Sequence, residues 1–351
     1  MSKYFSRKPG ELQAYVPGEQ PRNIQSLIKL NTNESPFPPA ENVTKAVLKA
    51  TNKANLYCDP TMLAVRQQLA SVYGLTPDHF TLGNGSDELL SFAFLAFCNQ
   101  ATGAAFADIT YGFYKVLSRL YATPTDIIPL DEQFCIDPED YKGLEKTIFI
   151  ANPNAPTGRA LTLAQIEQIL ESNPDNVVII DQAYVDFGAE CAIPLVEKYD
   201  NLLVINTFSK SRSFAGGRVG FAVAQPSLIA DLETIRNSIN PYNVNALSQA
   251  AACAILENND YYMQNCAIIA QNREYLTEQL SALGFETLPS KTNFIFTKHA
   301  SISGEQLYLG LKEKAILVRY FNTPRIRDYC RITIGTKDQM DALINAIKSL
   351  I

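Results

Sequence analysis

Apolar and polar positions group into blocks along the chain, and the blocks fall into three regions of different character. Between about residues 43 and 240, short apolar runs recur at AAFADI (104–109), TDIIPL (125–130), KTIFIAN (146–152), VVIID (177–181), LLVINT (202–207) and RVGFAVA (218–224). Short runs that do not alternate with polar residues predict strands buried on both faces. Helical segments separate several of them. In LTLAQIEQIL, Thr162 and Gln165 fit a capping box, and Ile166, Ile169 and Leu170 share one face. VRQQLASVYG predicts a helix closed by Gly74, and HFTLGNGSDELLSFAFLAFC predicts a strand, a glycine turn and a helix. Ser86 is the N-cap candidate of that helix, with Asp87 and Glu88 in the first turn, where the helix dipole favours them. Its apolar residues cover nearly every face, so it is expected to be buried. Strands alternating with helices imply a mostly parallel sheet between helix layers, an α/β large domain over 43–240.

The flanking regions differ. Residues 1–42 are rich in Pro, Asn and Gln, include PFPPA, and read as an arm and part of a small domain, with helix expected from Glu41. After Asn240 a long helical stretch (261–283) stops at Gly284, and strand-like segments follow at TNFIFT and ILVRYF. A closing helix has a capping box at Thr336 and Gln339 and apolar residues Met340, Leu343, Ile344, Ile347 and Leu350 at helical spacing. Residues 241–351 therefore read as a small α+β domain.

Composition narrows the function. The 351 residues include 30 basic and 36 acidic side chains, a formal net charge of -6, which leaves no basic surplus for a nucleic-acid backbone. The longest apolar run, LLSFAFLAFC, is well short of the roughly 20 residues that a membrane span needs. The first residues carry positive charge but no apolar core, so no secretory signal is expected and the protein is assigned to the cytoplasm. Seven scattered cysteines without a CxxC pair argue against a zinc site or a disulfide framework. With only His79 and His299, a His-rich metal site is excluded, and no metal is expected. Chemistry falls to Lys, Asp, Tyr and Arg, or to a cofactor.

Four segments could carry it. In NTFSKSRSFAGGRVGF, Lys210 follows an apolar strand among Ser209, Ser211 and Ser213, with Arg218 downstream. It is either a strand-end lysine reaching solvent or a Schiff-base lysine beside an anion site. In VVIIDQAYVDF, Asp181 ends a buried strand, where open α/β sheets bind ligands, and Tyr184 follows. Asp181 either caps a helix or holds a pyridinium nitrogen protonated, and Tyr184 either packs or donates to a ring oxygen. LGNGSDE opens a helix whose free amides favour a phosphate, although Glu88 stands where a dinucleotide fingerprint needs glycine. ANPNAPTGRA forms an extended turn after a strand.

The order of these segments along the chain resembles the fold-type I pyridoxal-phosphate aminotransferases over nearly the whole length. The resemblance implies that Lys210 binds pyridoxal 5'-phosphate and shuttles the proton, that Asp181 pairs with the ring nitrogen, and that Tyr184 contacts the ring hydroxyl. Tyr111, in ITYGFY, matches the aromatic residue stacked on the ring, and Ser86, Asp87, Ser209 and Arg218 would hold the phosphate. AYVPGEQP (14–21), LNTNESPFPP (30–39), YCDP (57–60) and CRITIGT make the finer resemblance one to the histidinol-phosphate aminotransferases. That family implies an arm that brings Tyr15 and Asn33 near the substrate, and Tyr57 reaching the cofactor phosphate of a neighbouring subunit in a homodimer. Arg331, with Arg319, would bind the anionic end of the substrate, glutamate carboxylate or histidinol phosphate, a task suited to a planar guanidinium.

The family usually has Asn directly before Pro-Thr-Gly, where this chain has Ala155, so Asn154 is the candidate replacement beside the ring hydroxyl. Cys58 stands where the family commonly has Pro. The implied reaction is transamination between L-histidinol phosphate with 2-oxoglutarate and imidazole-acetol phosphate with L-glutamate. An aromatic amino-acid aminotransferase and a threonine-phosphate decarboxylase on the same scaffold are the alternatives.

Overall fold

The computed structural model describes residue 4, residues 12–21 and residues 27–351; the rest of the expected arm, 1–3, 5–11 and 22–26, lies outside the described residues. In chain order the elements are β1 (Ile28–Lys29), α1 (Glu41–Thr51), α2 (Leu63–Tyr73), β2 (Phe80–Gly83), α3 (Ser86–Phe97), β3 (Ala104–Ala107), α4 (Phe113–Leu120), β4 (Thr125–Ile128), β5 (Thr147–Ala151), α5 (Leu163–Ser172), β6 (Val178–Asp181), β7 (Leu202–Thr207) and β8 (Gly220–Ala224). They continue with α6 (Pro226–Ile239), α7 (Ala246–Glu257), α8 (Asn259–Ala282), β9 (Phe285–Thr287), β10 (Phe294–His299), α9 (Gly304–Glu313), β11 (Ile316–Leu317), β12 (Arg319–Tyr320), β13 (Cys330–Thr333) and α10 (Lys337–Lys348).

The central sheet has seven strands in the order β2-β8-β7-β6-β5-β3-β4, and only β8 runs against its neighbours. Side chains leave a strand alternately to its two faces. Ile148, Ile150, Val178, Ile180, Leu202 and Val204 accordingly join one core with residues of α1, α2, α5 and α7. Phe149, Ile179, Leu203 and Ile205 join a second with α3, α4 and α6. Every residue of β5, β6, β7 and β8 is buried, as the unbroken apolar runs predict. The TDIIPL run is the exception: as β4 it lies at the sheet edge, so Asp126 and Ile127 are exposed and burial on both faces does not hold.

Ser86 is not the N-cap of α3. Gly85 takes that position with φ 83, a backbone conformation that favours glycine, and Ser86 becomes the first helical residue. The capping boxes at Thr162 and Thr336 form as expected. So does the Gly74 stop, in left-handed conformation.

A four-stranded antiparallel sheet, β12-β13-β10-β9, packs with α8, α9 and α10 around a separate core. The ILVRYF segment divides between sheets: β11 pairs in parallel with β1, and β12 pairs with β13. The pairing of β1 with β11, inside the segment read as an arm, and the Thr333 amide on the Leu30 carbonyl at 3.0 Å tie the chain before α1 to these strands.

Candidate functional site

A cavity of about 540 Å³ opens where β5, β6 and β7 end, bounded by the start of α3 on one side and by β12, β13, Tyr15, Gly18 and residues 31–34 on the other. Carboxyl ends of parallel strands are where open α/β sheets place ligands, because helix N-termini and loops converge there.

At its base the first turn of α3 leaves backbone amides without intrahelical partners, with the positive end of the helix dipole toward the cavity. Strand β8 backs directly on this turn: a Cβ at Gly220 would lie 2.5 Å from the Ser86 nitrogen. Arg218 stands beside it, donating from Nη1 to Ser209 Oγ at 3.4 Å and pairing through Nη2 with Asp87 Oδ2 at 3.1 Å. Tyr111 donates to the other oxygen of Asp87 at 2.8 Å, and burial pushes its phenol well above the ordinary range. The Asp87 carboxylate thus orients Arg218 and Tyr111, which leaves its amide, and not its side chain, to face an anion.

Asp181 closes β6, buried, accepting from Tyr114 Oη at 2.9 Å and from the Ala183 amide at 3.2 Å. Burial raises its carboxyl from 3.8 to about 6 despite those bonds, so a cationic partner at this point would stabilise the charged form. Lys210 follows β7 and donates from Nζ to the Thr32 carbonyl at 3.2 Å, with its ammonium 5.9 Å from the Tyr184 ring centre. Tyr184 accepts from Asn33 Nδ2 at 2.9 Å.

The opposite wall carries cations. Arg331 donates from Nη2 to the Asn31 carbonyl at 3.0 Å and lies over Phe294 and Phe321, while its buried Nε has no partner among the described residues. Burial pulls this guanidinium below its ordinary range, so an anion in the cavity would restore it. Arg319 reaches the Val16 carbonyl at 3.4 Å. Tyr15 lies edge-on to Tyr111 and Phe113, and burial raises its phenol.

Ser86, Asp87, Tyr111, Asp181, Tyr184, Ser209, Lys210, Arg218, Tyr15, Asn33, Arg319 and Arg331 line one cavity. Two candidates do not. Asn154 spends its amide on the Ile109 carbonyl, Thr157 and Thr110, at 2.9, 2.9 and 2.8 Å, so it holds its own loop and does not stand in for the side chain missing at Ala155. Tyr57 is exposed outside the cavity, stacked on Tyr242 at 4.5 Å. Sequence reasoning missed Tyr114 and Thr32. Tyr114 sits one helical turn after Tyr111, a weak signal that becomes meaningful only when α4 is packed against β6, and Thr32 acts through a backbone carbonyl that no side-chain pattern marks.

The model of the class I and II aminotransferases matches residues 25–347. The histidinol-phosphate aminotransferase of Acinetobacter baumannii is 48% identical over 350 residues, covering 99% of this chain and 97% of that protein. That of Brachyspira hyodysenteriae is 46% identical, covering 100% and 99%. The chain belongs to the histidinol-phosphate aminotransferases. The crystal structure of the Sinorhizobium meliloti histidinol-phosphate aminotransferase in complex with pyridoxal-5'-phosphate has the same fold, with TM-score 0.83 and 23% identity over 99% of this chain and 100% of that one. The family's fold-type I architecture, a mostly parallel sheet with a smaller antiparallel one, is the one found here. No helix among the described residues is long and apolar enough to cross a membrane, and no metal-binding cluster occurs among them.

Proposed function

We infer that the protein is a pyridoxal 5'-phosphate-dependent aminotransferase of histidine biosynthesis, exchanging an amino group between L-histidinol phosphate with 2-oxoglutarate and imidazole-acetol phosphate with L-glutamate. Full-length similarity to enzymes of that name, joined to a single cavity holding Lys210 and Asp181, carries the reading. The residues fit the cofactor. A buried carboxylate held near 6 calls for a cationic ring nitrogen, and the start of α3 with Ser209 and Arg218 offers a phosphate its donors.

When bound, the cofactor supplies an electron sink that makes the Cα–H of an amino compound acidic. Lys210 Nζ would hold the cofactor and would be the group that moves the Cα proton. Asp181 holds the ring nitrogen protonated, fixed in direction by Tyr114 and the Ala183 amide. Tyr184 would donate to the ring hydroxyl without help from Ala155, and Tyr111 would offer the ring an aromatic face. The amides of Ser86 and Asp87, with Ser209 and Arg218, hold the phosphate. Arg331 and Arg319 bind the substrate phosphate or carboxylate, and Tyr15 and Asn33 close the arm side. Charge-assisted bonds from a guanidinium to an oxyanion are stronger than neutral ones, and the buried Nε of Arg331 has no partner among the described residues.

The exposed position of Tyr57, away from its own cavity, supports a homodimer in which it reaches the phosphate of the neighbouring subunit. A Tyr57→Phe protein mixed with a Lys210→Ala protein should regain activity in hybrid dimers, since only one site of each hybrid would carry both lesions; no regain would refute the sharing. We place the enzyme in the cytoplasm, where amino-acid precursors are made.

A visible spectrum tests the function. The purified protein should show a cofactor band that L-histidinol phosphate removes and 2-oxoglutarate restores. A preference for L-phenylalanine, or carbon dioxide released from L-threonine phosphate without 2-oxoglutarate, would move it to another activity.

A further inference from the structure

Residues 31–33 touch three of the site's side chains in succession. Asn31 accepts from Arg331 through its carbonyl at 3.0 Å, Thr32 accepts from Lys210 through its carbonyl at 3.2 Å, and Asn33 donates through Nδ2 to Tyr184 Oη at 2.9 Å. Asn33 is the most constrained of the three. It is buried, has φ 57, and its carbonyl accepts from Asn293 Nδ2 at 3.0 Å. Left-handed backbone is uncommon outside glycine, and asparagine is among the side chains that tolerate it.

Thr333 settles the direction of the Asn33 amide. Its Oγ1 accepts from the Asn33 backbone N–H at 3.0 Å and donates its own proton to Asn33 Oδ1 at 3.0 Å. Nδ2 is therefore the end that faces Tyr184. With one lone pair of Tyr184 Oη taken by Nδ2, and no other partner for Oη among the described residues, the phenol proton is free to turn toward the cavity. Ala155, which also lines the cavity, contributes no side-chain donor.

We propose that Asn33 is a positioning residue for Tyr184: its amide donates to the phenol oxygen, so the Tyr184 proton points into the cavity toward the ring oxygen of the cofactor. Thr333, two residues beyond Arg331 on β13, holds Asn33 in that orientation. This rests on the cofactor reading given above.

The test is the pH midpoint of the visible cofactor band in the holoenzyme. A hydroxyl donated to the ring oxygen stabilises its anionic form, so loss of that bond holds the titrating proton more tightly and raises the midpoint. Asn33→Gly keeps the left-handed backbone but removes the amide, and should raise the midpoint by about half a pH unit, the worth of one ordinary hydrogen bond. Asn33→Asp keeps the shape but replaces a donor with an acceptor that draws the Tyr184 proton out of the cavity, and should raise it further, by about one unit or more. Tyr184→Phe should raise it as well, and adding Asn33→Gly to Tyr184→Phe should change nothing more. If packing alone mattered, the near-isosteric Asn33→Asp would be the milder variant. That order, unchanged midpoints in both Asn33 variants, or additive shifts in the double variant would overturn the proposal. A wild-type protein with no cofactor band would overturn the functional reading itself, an outcome distinct from a band that fails to move.

Discussion

The two walls of the cavity are built differently. The wall that carries Asp181, Lys210 and Arg218 hangs from β6, β7 and β8, whose residues are all buried and whose side chains feed two cores at once. The wall that carries Arg319, Tyr15 and Asn33 rests on the two-residue strands β11 and β12 and on irregular chain at 12–21 and 30–34. Among the described residues this arm is tied by individual hydrogen bonds and ion pairs, such as Asn31 Nδ2 to the Glu19 carbonyl and the Lys312–Glu19 ion pair, both at 2.8 Å. Groups that make and break bonds to hydrogen need positions held by packing, whereas groups that recognise an anion can be carried on shorter, locally tied segments.

The contrast can be broken most sharply on the rigid wall. Lys210→Ala should abolish the visible cofactor band and lower turnover by at least about 10³-fold, the loss of a covalent and proton-transferring amine. Absorbance and steady-state assays check it, and a variant active near the wild-type rate would remove Lys210 from the mechanism. Asp181→Asn should cost about 10²- to 10³-fold in kcat, the scale of a preorganised charge at the reacting group.

The same carboxyl gives a stability test. Burial raises Asp181 from 3.8 to about 6, so in the cofactor-free protein it binds its proton more tightly folded than unfolded. Its contribution is present in full below the unfolded value and is lost as pH rises through the folded one. The loss amounts to about 3 kcal/mol in all, and Asp181→Asn should flatten that part of the profile of thermal midpoint against pH. Equal slopes in the two proteins between pH 4 and 7 would contradict the assigned burial effect.

The anion wall should respond in a different parameter. Arg331→Gln should raise KM for L-histidinol phosphate by about 10²-fold, the worth of a charge-assisted bond, with kcat changed less. Equal falls in kcat and kcat/KM would place Arg331 in the chemistry instead. Smallest of all, Lys312→Ala removes an exposed ion pair with Glu19, and KM should move by less than about threefold, because solvent screens such pairs. A larger change would mean that this one exposed ion pair holds the arm against the substrate.

Much of the rigid wall was legible in residue order. Asp181 ends an unbroken apolar run and Lys210 comes three residues after the end of another strand, and a strand end is a local pattern. The Thr162 and Thr336 capping boxes are local as well. The cap falls one residue before Ser86 because Gly85 takes a positive φ there, a backbone choice that the side-chain preferences of helix caps do not mark. Asn154 was misassigned because its partners Ile109 and Thr110 come from another loop. The edge position of β4 was missed because strand order is not written in a single run of residues.

The sequence by itself determined the two kinds of sheet, the helices that separate the central strands, and the residue types able to hold a phosphate, a ring nitrogen and an anion. Periodicity and capping depend on neighbours within a few positions, so they can be read from order alone. Only the tertiary structure decided that Tyr114 fixes Asp181, that Asn33 reaches Tyr184, that the Thr32 carbonyl receives Lys210, and that Asn154 turns away from the cavity. Those choices depend on register and on which backbone carbonyls lie within hydrogen-bond distance once the cores are packed.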